Sequence, residues 1–94
     1  MDIKVIGVVG SGQMGTGIAQ SLALAGYEVP IYDKSEIALK KGVEKIKASI
    51  RRQVEANKIS KEIYEAALIS LRPVNILGDL SKSDLIIEAA TEKE

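Results

Sequence analysis

The sequence predicts an α/β fold built on a parallel sheet, and three observations carry that prediction. Four short apolar runs, Ile3 to Val9, Val29 to Tyr32, Ser70 to Val74 and Leu85 to Ile87, are separated by segments or loops of different character, most of them of helical periodicity. The first run is nearly continuously apolar instead of alternating, as in a strand covered on both faces. Glycines gather where that run gives way to the first helical segment, at Gly10, Gly12 and Gly15.

The elements follow in order. Ile3 to Val9 reads as the first strand. From Gln13 to Ala25 apolar residues recur at helical spacing (Met14, Ile18, Leu22, Ala25), and Gly26 stands where a glycine ends a helix. Val29 to Tyr32 is a second strand that finishes at Asp33. Its Pro30 cannot donate to a ladder, so it is expected at the strand's start or where the neighbouring strand does not reach. Ser35 caps a long second helix running to about Asn57, with Leu39, Val43, Ile46, Ile50 and Val54 as its buried stripe. Ile59-Ser60 opens a third helix, Ser60 capping and Ile59 stapling onto Tyr64, and that helix is expected to end near Leu68. Ser70 to Val74 is a third strand, Asn75 to Ser83 a loop, and Leu85 to Ile87 a fourth strand finishing near Ala89. Helical crossovers between such strands are right-handed. The expected sheet order is 3-2-1-4, a partial Rossmann-type sheet with flanking helices and a long second helix.

Composition narrows the function classes. A chain of 94 residues makes one domain at most, and 46% apolar content is ample for a core. Aromatic content is 3%, so Ile, Val, Leu and Ala must build that core. Thirteen basic residues balance thirteen acidic ones, which argues against nucleic acid as the main partner. There is no cysteine for disulfides or thiolate metal sites, and no histidine, the commonest general base. The N-terminus passes directly into strand pattern, and no apolar run is long enough to span a bilayer. A cytoplasmic location and no membrane partner are the expectation.

The chemistry concentrates in Gly10-Ser11-Gly12-Gln13-Met14-Gly15. A G-x-G-x-x-G between strand and helix brings a dinucleotide pyrophosphate against bare backbone at a helix N-terminus. Gly10 allows the tight turn, Gly12 lets the phosphates approach, and Gly15 lets the helix pack close on the strand. Asp33 follows 18 positions after Gly15, at the end of the second strand. A carboxylate there accepts ribose hydroxyls and repels a 2′-phosphate, favouring NAD over NADP, although Lys34 beside it is a cation. Gly17, inside the first helix, costs about 1 kcal/mol relative to alanine, and its expected reason is close packing against another element. The basic residues of the second helix, among them Lys45, Lys47, Arg51, Arg52 and Lys58, read as a solvated face. Glu88 and Glu92 lie near the end of the fourth strand, on the side where ligands bind beyond strand C-termini.

These residues resemble the L-3-hydroxyacyl-CoA dehydrogenase family, which includes bacterial 3-hydroxybutyryl-CoA dehydrogenases. The resemblance rests on Ile6 through Gln20, on Gly26-Tyr27-Glu28-Val29 and Asp33, on the long charged helix, and on Asp84-Leu85-Ile86-Ile87-Glu88-Ala89-Ala90-Thr91-Glu92. It implies that Gly10, Ser11, Gly12, Gln13, Met14 and Gly15 hold the NAD pyrophosphate and that Asp33 holds the adenosine ribose. It implies further that the backbone around Ala89 and the Glu92 side chain lie beside the nicotinamide half. In that family the long helix also helps to hold the CoA part of an acyl-CoA, and by position Ser49, Arg52 and Lys58 are the matching contacts. The family's catalytic His–Glu pair and its helical C-terminal domain have no counterpart in these 94 residues. The chain therefore reads as the N-terminal part of the NAD-binding domain, expected to bind NAD without turnover. A non-catalytic dinucleotide-binding or regulatory module that assembles with another chain is the alternative, and an FAD-type domain a third. An unpaired edge on the fourth strand is expected to favour self-association or marginal stability.

Overall fold

The computed structural model describes residues 2–89. Its elements are β1 (Ile6–Val9), α1 (Gln13–Leu24), β2 (Val29–Tyr32), α2 (Glu36–Glu55), α3 (Lys61–Ser70), β3 (Leu71–Val74), a turn of 3-10 helix (Leu77–Leu80) and β4 (Leu85–Glu88). The four strands form one parallel sheet in the order β3-β2-β1-β4, as the sequence predicts. Val8, Val29, Ile31 and Leu71 point from one face of the sheet into the core. There they meet Ala19 and Ala23 of α1, Leu39, Val43, Ile46 and Ile50 of α2, and Ala67 of α3. Val54, expected in the same stripe, is only half-buried and lies outside the core cluster. On the other face the 3-10 turn lays Leu80, 1% exposed, over Gly7 of β1.

Local chemistry explains the helix ends. The Ser35 hydroxyl accepts from the Ala38 amide and the Ser60 hydroxyl from the Ile63 amide, each at 3.1 Å. Ile59 and Tyr64 both pack against the core beside the second of these caps. Gly26, just past α1, takes φ +102°, the left-handed conformation expected of a glycine there. α3 continues to Ser70 instead of ending near Leu68. The Ser70 hydroxyl donates to the Ala66 carbonyl at 2.9 Å and holds the last turn, so β3 follows with no loop between.

Pro30 departs from expectation. It is buried in the middle of the sheet, with β1 on one side of β2 and β3 on the other. Glu28 donates to the Lys4 carbonyl and Tyr32 accepts from the Gly10 amide, so alternate residues of β2 face β1 and Pro30 is one of them. Its missing N–H interrupts the β1–β2 ladder. The pairs Val8↔Ile31 and Val9↔Tyr32 lie on one side of the gap and the isolated bridge Val5↔Glu28 on the other. The first strand starts at Ile6 instead of Ile3, where its pairing with β4 begins at Ile6↔Leu85. The amides of Lys4 and Val5 are taken instead by the Asp84 carboxylate, at 2.8 and 2.9 Å.

The two sheet edges differ. On β3 the residues facing β2 are Arg72 and Val74, so the donor-less nitrogen of Pro73 faces outward. On β4, Leu85 and Ala89 donate to β1, which leaves the backbone groups of Ile86 and Glu88 facing outward. Leu85 and Ile86 are about half exposed.

Candidate dinucleotide site

The glycine loop joins the C-terminal end of β1 to α1. Gly10 takes φ +108°, which its lack of a Cβ permits, and donates its amide to the Tyr32 carbonyl at 2.7 Å. Gly15 is fixed by space. A Cβ there would stand 1.9 Å from the Gly10 carbonyl oxygen and 3.7 Å from the Ala89 Cβ. α1 can therefore begin directly against the turn only because residue 15 has no side chain. The buried Ala89, whose amide donates to the Val9 carbonyl at 2.8 Å, stands next to this contact.

The mouth of the loop is suited to an anion. α1 starts at Gly12 without a side-chain cap and has no acidic residue in its first turn. Gly12, Gln13 and Met14 are exposed there, Met14 by 59%. The hydroxyl of the buried Thr16 turns back to the Gly12 and Gln13 carbonyls at 3.0 and 3.1 Å, which pins the first turn from within.

Asp33 is bound to this loop. Its Oδ2 accepts from both the amide and the hydroxyl of Ser11, each at 2.8 Å, and its Oδ1 accepts from the Ser35 amide at 2.8 Å. Partial burial pushes the carboxyl up. The bonds from the Ser35 amide, the Ser11 amide and the Ser11 hydroxyl, with the Lys34 charge, outweigh that and hold it below the ordinary carboxylate value. The result is an ionised acceptor beside an anion-accepting helix start, the pair that a nucleotide's ribose and pyrophosphate require.

The structure thus brings Gly10, Ser11, Gly12, Gln13, Met14, Gly15, Asp33 and Ala89 to one end of the sheet. Glu88 ends β4 at that same end and is exposed. Glu92 lies outside the described residues. The three residues matched to CoA stand apart from the loop. Ser49 is half-buried between the helices, accepting from the Gln20 amide group at 3.0 Å, while Arg52 and Lys58 are exposed. Gly17 does not fill the packing role expected of it. A Cβ there meets nothing among the described residues within 4 Å, because α1 turns Gly15, Thr16, Ala19 and Ala23 inward and position 17 out.

One contact escaped the sequence reading. Gly42, buried in α2, faces Ser11 and Thr16, and a Cβ there would lie 2.8 Å from the Ser11 carbonyl oxygen. The available signal was a glycine inside a long helix, where alanine is favoured by about 1 kcal/mol. Among the described residues no helix is long and apolar enough to cross a membrane, and no cluster of side chains is arranged to hold a metal ion.

Comparison with known proteins agrees with this geometry. The family described as "3-hydroxyacyl-CoA dehydrogenase, NAD binding domain" matches residues 5–94. A 3-hydroxybutyryl-CoA dehydrogenase of Bradyrhizobium diazoefficiens is 44% identical over 92 residues, covering 98% of this chain and 31% of the relative. The crystal structure of 3-hydroxybutyryl-CoA dehydrogenase from Escherichia coli superposes with a TM-score of 0.94 at 38% identity, over 99% of this chain and 20% of that one. That of (S)-3-hydroxybutyryl-CoA dehydrogenase from Ralstonia eutropha gives 0.91 at 36% identity, over 99% and 33%. The chain spans about a third of the length of the first of these relatives. With its glycine turn, its carboxylate at the end of β2 and its sheet order, the chain belongs to the family of NAD-binding domains of 3-hydroxyacyl-CoA dehydrogenases.

Proposed function

We propose that this chain is the N-terminal, cofactor-holding part of a 3-hydroxyacyl-CoA dehydrogenase. The loop from Gly10 to Gly15 holds the pyrophosphate of NAD, Asp33 the adenosine ribose, and Ala89 with Glu92 the nicotinamide half. The observation that carries this is the tie between Ser11 and Asp33, which makes one unit of the phosphate loop and the ribose acceptor. An ionised Asp33 favours NAD over NADP by repelling a 2′-phosphate.

The reaction of the whole enzyme is reversible oxidation of a 3-hydroxyacyl-CoA to the 3-oxoacyl-CoA, NAD supplying the hydride acceptor when bound. Ser49, Arg52 and Lys58 are the CoA contacts in this reading, with the Ser49 hydroxyl released from Gln20 to make one. The chain contains no histidine to take the substrate's hydroxyl proton, so by itself it binds NAD and does not turn over. An NAD-linked acyl-CoA reaction fits a cytoplasmic setting. The apolar, outward-facing β4 is also the surface through which copies of this chain associate.

Calorimetric titration with NAD and with NADP separately tests the cofactor assignment. NAD binding in preference to NADP is expected, and no binding of either would overturn it. Mixing the chain with NADH and acetoacetyl-CoA tests the rest, and loss of reduced-nicotinamide absorbance would refute the absence of turnover.

A further inference from the structure

Ser11 is held from two sides. Its amide and hydroxyl donate to Asp33, and its carbonyl and Cβ lie against the one position of α2 that lacks a side chain. A Cβ on Gly42 would stand 2.8 Å from the Ser11 carbonyl oxygen, 3.0 Å from the Thr16 methyl and 3.1 Å from the Ser11 Cβ. The nearest of these is backbone, which cannot rotate away.

α2 has little room to retreat. Leu39, Val43 and Ile46, on both sides of Gly42 in sequence, are buried in the core. At the start of the same helix the Ser35 amide donates to the other oxygen of Asp33. The contacts close a ring: Gly42 seats Ser11, Ser11 holds one carboxylate oxygen, and the helix that carries Gly42 holds the other through its own cap residue.

We propose that Gly42 is a positioning and specificity-determining residue for the dinucleotide site, acting through Ser11 to aim the Asp33 carboxylate at the ribose diol. This rests on the reading of the glycine loop as an NAD site. A methyl group at position 42 displaces Ser11 and stretches its two bonds to Asp33. The carboxylate then loses its alignment with the hydroxyls that distinguish NAD from NADP. Helix propensity alone predicts the opposite, since alanine is the better helix former and touches no ligand.

The test measures NAD and NADP affinities by calorimetry for the wild type, G42A, S11A, D33N and G42A/D33N, with thermal unfolding followed by circular dichroism. G42A is expected to weaken NAD about tenfold and NADP about twofold, so that the NAD preference falls about fivefold. S11A, which leaves α2 untouched, is expected to lower the preference about threefold. In the D33N background G42A should change NAD affinity by less than about twofold, because the two changes act on one pathway. Equal losses for both cofactors, or a G42A effect as large with D33N as without it, would reduce Gly42 to a packing residue and overturn the proposal. Should G42A fail to fold, an unchanged preference in S11A overturns it equally. A wild type that binds neither cofactor is a different result: it overturns the reading of the site and this inference with it.

Discussion

Ser11 gives both of its donors, amide and hydroxyl, to a single oxygen of Asp33, at 2.8 Å each. The carboxylate is thereby held in place before any nucleotide arrives, with accepting capacity left mainly on Oδ1. Replacing Asp33 by alanine removes charge-assisted bonds of about 1.5–3 kcal/mol, so NAD affinity should fall roughly ten- to a hundredfold. NADP affinity should fall less, and titration of both cofactors checks the difference.

Acid should act through two carboxylates. Asp33 is held below its ordinary value as described, and the amides of Lys4 and Val5 lower Asp84 in the same direction. A depressed folded-state pKa means that each contribution to stability is present above the unfolded value, about 3.9, and is lost as pH falls through the folded value. The melting temperature should therefore be flat near neutrality and drop below about pH 4. Asp84→Asn should flatten the acid limb of that curve without altering NAD affinity at neutral pH.

Gly15 and Gly17 sit two residues apart and should respond with opposite signs. At position 15 an alanine Cβ overlaps the Gly10 carbonyl, 1.9 Å away. Overpacking of this kind costs about 3 kcal/mol or more, which lowers the melting temperature by roughly 10–20 °C and removes NAD binding. At position 17 the same methyl enters open space. Gly17→Ala should raise stability by about 0.5–1 kcal/mol, read as a rise of a few degrees in a thermal melt.

Charge placed on the open edge should suppress association. Ile86 is 48% exposed and directs its backbone groups outward from β4. Ile86→Lys is expected to shift sedimentation of concentrated protein towards the monomer. A wild type already monomeric at high concentration, unfolding cooperatively, would contradict the assignment of β4 as an association surface.

The elements that the sequence disclosed are those where one local rule acts alone. The β-branched run before Gly10, the stripe of α2 and the serine caps each follow from periodicity or capping, and each is present, the run shortened to Ile6–Val9 and the stripe ending at Ile50. The place of Asp33 at the end of β2, beside the glycine loop, was legible from strand order and the spacing of the glycine motif. Its bonds to Ser11 were not, since they depend on how the neighbouring strands β1 and β2 deliver two segments 22 residues apart to one point. Pro30 misled because strand rules treat proline as excluded from a sheet interior, whereas this sheet gives up one ladder interval and keeps the buried ring. Gly17 and Gly42 look alike in sequence, both glycines within helices. Only the packing separates them, one facing solvent and the other a backbone carbonyl.

The unlike edges of the sheet also set what kind of assembly it can form. Pro73 turns a nitrogen without a donor outward from β3, while β4 presents the unpaired backbone groups of Ile86 and Glu88, with Leu85 and Ile86 about half exposed. Head-to-tail joining of β3 to β4 would repeat without limit, and the proline opposes it. Should copies associate through β4, as proposed above, the self-complementary arrangement is β4 against β4 about a two-fold axis, which would close at a pair.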